Sequence, residues 1–238
     1  MKILLYLRYF IYISFNWNIR LAWFTISHEI RGEKKYRINT IRIEDLKKIS
    51  IAGDNVKNAE MYQGANYYLL ETMFQKLKEL HAGDKFVDVG CGKGRVLVVA
   101  AHYSFSKLTG IDFAQSICDE AKKNTDPLFN LFPDINVNII CADAMYYQYE
   151  KDIDVFFLFN PFNEVVMKEV VKNIVVSITS PRKIYVVYLN PVQKKIFLEA
   201  GFKEIYAVKK LRLIEGVILE KNGHGGTEVH RETRSVFD

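Results

Sequence analysis

Three cysteines, Cys91, Cys118 and Cys141, make an odd number with no C-x-x-C among them. That excludes a disulfide framework and points to thiols in a reduced, cytoplasmic chain. The five histidines lie far apart, with no H-E-x-x-H and no Cys/His ligand spacing, so no metal site can be read. Long apolar runs are also lacking. The longest uncharged stretch, Tyr9–Ile19, has 11 residues and already holds Asn16 and Asn18, whereas a bilayer span needs about 20. Arg8 interrupts the surrounding apolar sequence and no small-residue cleavage site follows, so a secretory signal is not expected. Excess charge is missing from residues 83–238, which hold 20 basic and 20 acidic side chains. A broad nucleic-acid groove would concentrate basic residues there.

The formal charge of +5 sits at the other end: residues 1–37 hold seven Lys or Arg against two Asp or Glu. Both tryptophans, Trp17 and Trp23, lie in the same segment, with Tyr6, Tyr9, Phe10, Tyr12, Phe15 and Phe24. At helical spacing Lys2, Arg8, Asn16, Arg20, Ser27 and Arg31 share one broad arc of a helix over 1–31. Two uses fit this pattern. One is a helix packed on its own domain or on a second subunit; the other is a helix lying on an anionic membrane surface, peripheral at the inner membrane face.

A polar connector with a short helical pattern (Ile43, Leu46, Ile49) leads to Met61-Tyr62-Gln63-Gly64 and then to a helix with Tyr67, Leu70, Met73, Phe74 and Leu77 on one face. From Lys85 the chain alternates short β-rich runs with helical runs. Strands are expected at 86–89, 107–111, 136–141, 153–159 and 183–189, followed by helices at 93–102, 114–124, a short one after 141, 163–178 and 191–200. Five such units mean an α/β protein with a parallel sheet covered on both faces. The pattern ends with two successive strands, 202–209 and 211–219. Three regions follow: 1–60, a helical basic-aromatic extension; 61–220, the ligand-binding domain; and 221–238, a polar tail.

The centre of the chain is Phe86-Val87-Asp88-Val89-Gly90-Cys91-Gly92-Lys93-Gly94-Arg95-Val96-Leu97, a strand, a glycine-rich turn and a helix start. Its G-x-G-x-G spacing is neither the dinucleotide G-x-G-x-x-G nor a P-loop, because Lys93 is not followed by Ser or Thr. Asp112 ends the next strand, 22 residues after Gly90, where a carboxylate suits two ribose hydroxyls or caps the following helix. Cys141-Ala142-Asp143-Ala144 ends the third strand, and Phe156 to Phe159 is followed by Asn160-Pro161-Phe162. Asp143 serves a ligand or caps a helix, and the Asn-Pro-Phe serves a site or is a plain strand-to-helix turn. Asn190-Pro191 ends the fifth strand.

The D-x-G-x-G-x-G loop resembles motif I of the class I S-adenosylmethionine-dependent methyltransferases. The chain is most similar to small bacterial members with a D-x-G-x-G-K-G-R loop, and more loosely to Dot1-type lysine methyltransferases. The resemblance implies a Rossmann-like seven-stranded sheet in the order 3-2-1-4-5-7-6 and S-adenosylmethionine as cofactor. It implies cofactor contacts by Asp88, Gly90, Cys91, Gly92 and Gly94 on the methionyl part and by Asp112 and Phe113 at the ribose. Asp143 and Ala144 then meet the adenine, and Tyr62 and Gln63 reach from a lid segment that is equally readable as a capping turn. Asn160, Pro161 and Phe162 stand where motif IV receives the acceptor, although amino-directed enzymes carry a second proline there. The expected activity is methyl transfer to an acceptor, with nitrogen favoured; protein lysine, a small molecule, a lipid-linked intermediate and RNA all stay open. Two other readings remain, a cofactor-binding module of the same fold without catalysis, and a membrane-surface scaffold.

Overall fold

The computed structural model describes residues 2–38, 40, 64–159 and 162–223. The sheet is built where the apolar runs place it: β1 (Lys85–Val89), β2 (Lys107–Asp112), β3 (Asn136–Cys141), β4 (Val155–Phe159), β5 (Lys183–Leu189), β6 (Lys203–Lys210) and β7 (Ile214–Asn222). Their order is β3-β2-β1-β4-β5-β7-β6, the expected one. The first five strands are parallel, and β7 returns antiparallel between β5 and β6. β1, β4 and β5 are buried along nearly their whole length, as strands covered on both faces must be.

Helices α3 (Tyr67–Glu79) and α4 (Arg95–Ala101) cover one face, with Leu70, Phe74 and Leu97 in one buried cluster with Phe86 and Phe157. The helix α7 (Glu164–Ser177) covers the other, its Val170 and Ile174 clustered with Val87, Phe156 and Val186. The remaining helices are α5 (Gln115–Thr125), α6 (Leu128–Leu131) and α8 (Lys194–Glu199). Two local expectations are corrected. β3 is followed by a turn rather than a short helix, because the Asp143 side chain accepts the Met145 N–H at 2.9 Å and closes a tight local loop. β7 runs Ile214–Asn222 rather than 211–219, because it pairs with the whole of β5 from Lys183 to Leu189.

The amino-terminal segment differs most. It is a hairpin of two helices, α1 (Lys2–Asn16) and α2 (Ile19–Tyr36), rather than one helix over 1–31. The cause is Asn18, extended at φ −167°, whose side chain accepts the Leu21 N–H and caps α2. The two helices run antiparallel, since the Tyr6 hydroxyl near the start of α1 donates to Glu33 near the end of α2 at 2.9 Å. The hairpin has no separate core: Ile13, Leu21, Ala22 and Tyr36 belong to the buried cluster that holds Leu70 and Phe74.

Close approach of α2 to α3 depends on Gly32. A Cβ built there would lie 2.2 Å from the Tyr67 ring. That ring is stacked on Tyr36 at 5.7 Å between centroids and carries the Arg95 guanidinium 4.5 Å above it, so it has no slack. Gly32→Ala would gain about 1 kcal/mol of helix propensity, but overpacking a filled site costs about 1–3 kcal/mol, and an overlap this deep belongs at the upper end. The variant is expected to melt below the wild type; an equal or higher midpoint would show that α2 and α3 are not locked at Gly32.

Candidate active site

The carboxyl ends of β1, β2 and β3 are stitched together by their own loops. The Gly90 and Cys91 N–H groups both donate to the Ile111 carbonyl at 2.9 Å, and the Ala142 N–H donates to the Asp112 carbonyl at 2.9 Å. Gly90, Gly92 and Gly94 take φ of 81°, 51° and 78°, which a side chain would resist. The backbone therefore turns sharply between β1 and α4, with Gly90 half-buried and Gly92 and Gly94 buried.

Two carboxylates face this loop. Asp112 is 8% exposed, and its Oδ2 accepts the Gly92 N–H at 3.0 Å while Oδ1 accepts the Ala114 N–H at 3.2 Å. Burial raises its pKa, and the backbone donors oppose the rise. Each oxygen keeps a further lone pair for a ligand hydroxyl. Asp88 is fully buried at the end of β1, and its Oδ2 has no hydrogen-bond partner among the described residues. Burial first, then the Asp112 charge, pushes its carboxyl well above the usual carboxylate range. An orphaned buried acceptor beside a second carboxylate favours a ligand that brings a positively charged donor.

The other expected residues divide. Phe113 is half-buried next to Asp112, and Ala144 is buried at the end of β3. Asp143 closes the turn to Met145 rather than capping a helix, and its partial exposure is compatible with its other expected use, at a ligand. The Cys91 side chain packs inward, within 3.0 Å of where a Cβ on Gly110 would sit, and burial raises its thiol pKa, which leaves only its backbone for a ligand. Phe162 is half-buried before α7. Tyr62, Gln63, Asn160 and Pro161 lie outside the described residues.

Sequence reasoning missed a second half of the site. A cavity of about 360 Å³ lies between the hairpin and the carboxyl edge of the sheet. Phe159 and Asn190, at the ends of β4 and β5, line one side with Ile214 of β7; Tyr12, Trp17 and Leu21 of the hairpin line another. Asn190 takes φ 47° at the end of β5, a left-handed conformation that asparagine tolerates better than most side chains.

The cavity floor carries a buried ion pair. The Arg95 guanidinium donates to both Glu29 carboxylate oxygens, to the Ala65 carbonyl at 2.8 Å and to Thr40 Oγ1 at 2.6 Å. Both charged residues are almost wholly buried. Arg95 opens α4 directly after the glycine loop, so this pair fastens the hairpin to the loop. The available signal was an arginine opening an apolar helix whose position demands burial, and hence a buried acid elsewhere in the chain.

Residues 86–179 match a family model described as a methyltransferase domain. A search of curated proteins gave no match. Among solved structures, the chain is similar to the N-methyltransferase NodS from Bradyrhizobium japonicum WM9, with 12% identity, a TM-score of 0.50, and coverage of 66% of this chain and 97% of that one. It is also similar to the candidate methyltransferase yhhF of Escherichia coli, with 15% identity, a TM-score of 0.52, and coverage of 67% and 87%. At these identities the likeness is one of fold.

Proposed function

We propose that this chain is a class I methyltransferase that transfers a methyl group from S-adenosylmethionine to an amphiphilic acceptor, with a nitrogen nucleophile favoured, held in the cavity between the hairpin and the sheet. The observation that carries this reading is the orphaned Asp88 Oδ2 beside the glycine loop. When bound, S-adenosylmethionine supplies an electrophilic methyl group on a sulfonium. Asp88 would accept from its ammonium group, Asp112 with Phe113 beside it would meet the ribose, and Asp143 with Ala144 would contact the base, next to the backbone of Gly90, Gly92 and Gly94. The two buried carboxylates favour the cofactor's positive charge.

The acceptor side works by placement. Apolar walls from Tyr12, Trp17, Leu21 and Phe159 suit an apolar body, and Asn66 and Asn190 offer polar contacts for its reactive end. Both carboxylates that line the cavity are paired, Glu29 with Arg95 and Glu215 with Lys209 at 2.8 Å. Positioning and water exclusion, rather than proton abstraction by either acid, are then what the cavity contributes, so the acceptor should arrive with its lone pair free. Asn160, which directly follows β4, would accept a hydrogen bond from the nucleophile, with Pro161 and Phe162 shaping the approach.

The direct test supplies methyl-labelled cofactor to the purified protein with a cell lysate, then separates solvent-extractable from water-soluble products. Label in the extractable fraction is expected, and label confined to RNA or protein would overturn the acceptor class while leaving methyl transfer intact. For the residue, Asn160→Ala is expected to leave cofactor affinity nearly unchanged and to slow single-turnover transfer by about tenfold or more, the loss of one hydrogen bond made in the transition state. An unchanged single-turnover rate would remove Asn160 from the site.

A further inference from the structure

The hairpin covers part of the catalytic fold with one surface and leaves the other bare. On α1, Ile3 and Phe15 are 83% and 87% exposed, and Leu4, Leu7 and Ile11 are exposed with them. On α2, Trp23 is 71% exposed, with Ile19 and Ile30 on the same arc. A continuous apolar face of this kind marks an interaction surface. No helix of the described residues is long and apolar enough to cross a membrane. Among the described residues nothing covers this face.

Charge selects the covering. The only two acids between residues 2 and 38, Glu29 and Glu33, are buried, Glu29 against Arg95 and Glu33 against the Tyr6 hydroxyl and the Thr40 N–H. The exposed charge of the hairpin is consequently all basic among the described side chains: Arg20, Arg31, Lys34, Lys35 and Arg37. Glu71 of α3 engages Arg31 and Lys35. On α2, Arg20 and Lys34 border one side of the apolar arc of Ile19, Trp23 and Ile30 at helical spacing. A second copy of the chain would bring the same basic rim against itself across a two-fold axis, which is repulsive. An anionic bilayer satisfies both features at once, headgroups meeting the basic rim and acyl chains receiving the apolar and indole side chains.

We propose that the α1–α2 hairpin docks the protein in the plane of an anionic lipid surface. Tyr12 and Trp17 belong both to this exposed surface and to the wall of the cavity, so docking sets the cavity mouth at the lipid. The docking does not depend on methyl transfer, and its test therefore contains no cofactor. The full chain is sedimented with vesicles of phosphatidylglycerol or of phosphatidylcholine. Binding to the anionic vesicles is expected to exceed binding to the neutral ones by at least tenfold at low salt. Arg20→Gln with Lys34→Gln should reduce it by about fivefold per residue, and that reduction should shrink in high salt as the Debye length falls.

Phe15→Ser with Trp23→Ser should reduce binding by more than tenfold, including the part that resists salt, and should leave the melting midpoint unchanged because both side chains are exposed. The charge pair gives a second reading that needs no change in the apolar face. Equal sedimentation of wild type and both double variants would overturn the proposal. So would a failure of the wild type to bind anionic vesicles while forming a dimer that Phe15→Ser with Trp23→Ser dissolves, since the occupant would then be a second copy.

Discussion

Replacing Arg95 with Met is expected to destabilise the protein by about 3–5 kcal/mol, because it strands the buried Glu29 carboxylate without its partner. Against a total stability of about 5–15 kcal/mol that is a large fraction. Arg95 satisfies Glu29, Thr40 and the Ala65 carbonyl together, so the loss is greater than for a surface ion pair. The penalty should depend on pH. Burial raises the Glu29 pKa, and Arg95 is the main influence lowering it, so the variant pushes it higher still. A carboxyl whose folded pKa lies above its unfolded value contributes stability below the unfolded pKa and loses it as pH rises through the folded one. The difference between variant and wild type should therefore be smallest near the ordinary carboxylate range of about pH 4–5 and should grow toward neutral pH. Denaturant melts across that range measure it. A difference under about 1 kcal/mol, or one flat with pH, would show that the pair behaves as an exposed one. Replacing Glu29 with Met in the same chain should recover part of the loss, since an apolar pair of similar volume carries no desolvation cost.

The same ion pair shows where sequence reading stops. Asp88, the three glycines and Asp112 are legible because a strand, a glycine turn and a helix start are contiguous, and because each following strand ends on a side chain that the sheet brings to one edge. The run lengths give the alternation and the final pair of β-rich segments, whereas the seven-stranded order is what the resemblance carried by the glycine loop implies. Glu29 and Arg95 are 66 residues apart, and neither carries a local mark of its partner. The hairpin lies between these cases. Asn18 is an ordinary helix cap, yet it sits inside an aromatic run whose periodicity favours one uninterrupted helix, and the packing of Ile13 and Leu21 into a common core acts with its cap in making two helices. The turn at Asp143 has the same origin: an Asp that begins a helix and an Asp that closes an Asx turn look alike until the next residues find their packing.

Function is divided along the same line. In the proposed function the contiguous motif builds the cofactor side, and the acceptor side is the cavity lined by α1, α2 and the ends of β4, β5 and β7. Arg95 joins the two, being both the residue after the glycine loop and the anchor of α2. Damage to that anchor should loosen the acceptor wall before it disturbs the sheet, because the parallel strands keep their own buried cluster with α7. Arg95→Met should thus weaken acceptor use more than cofactor affinity, a division that separate binding and transfer assays can read.

Asp112→Ala is expected to give the largest loss of cofactor binding, at least tenfold for each charge-assisted hydrogen bond removed, corresponding to about 1.5–3 kcal/mol per bond. The residue does two things, and the variants separate them. As a staple, its carboxylate accepts the Gly92 and Ala114 N–H groups, and stranding those buried donors costs about 1–3 kcal/mol each in stability. As a ligand group, it offers the remaining lone pairs to the ribose. Asp112→Asn keeps one acceptor oxygen, so its melting midpoint should fall less than that of Asp112→Ala while its calorimetric affinity for S-adenosylmethionine still drops. The pH dependence supplies a second check. Burial and then the Asp112 charge raise the Asp88 pKa, and a cationic ligand favours its ionised form, so wild-type affinity should strengthen as pH rises through that raised pKa. Removing the Asp112 charge removes one cause of that rise, and the strengthening should begin at lower pH in both variants. Affinity within twofold of wild type would confine Asp112 to stapling the loop. A wild-type protein that binds NAD and not S-adenosylmethionine would refute the cofactor assignment itself.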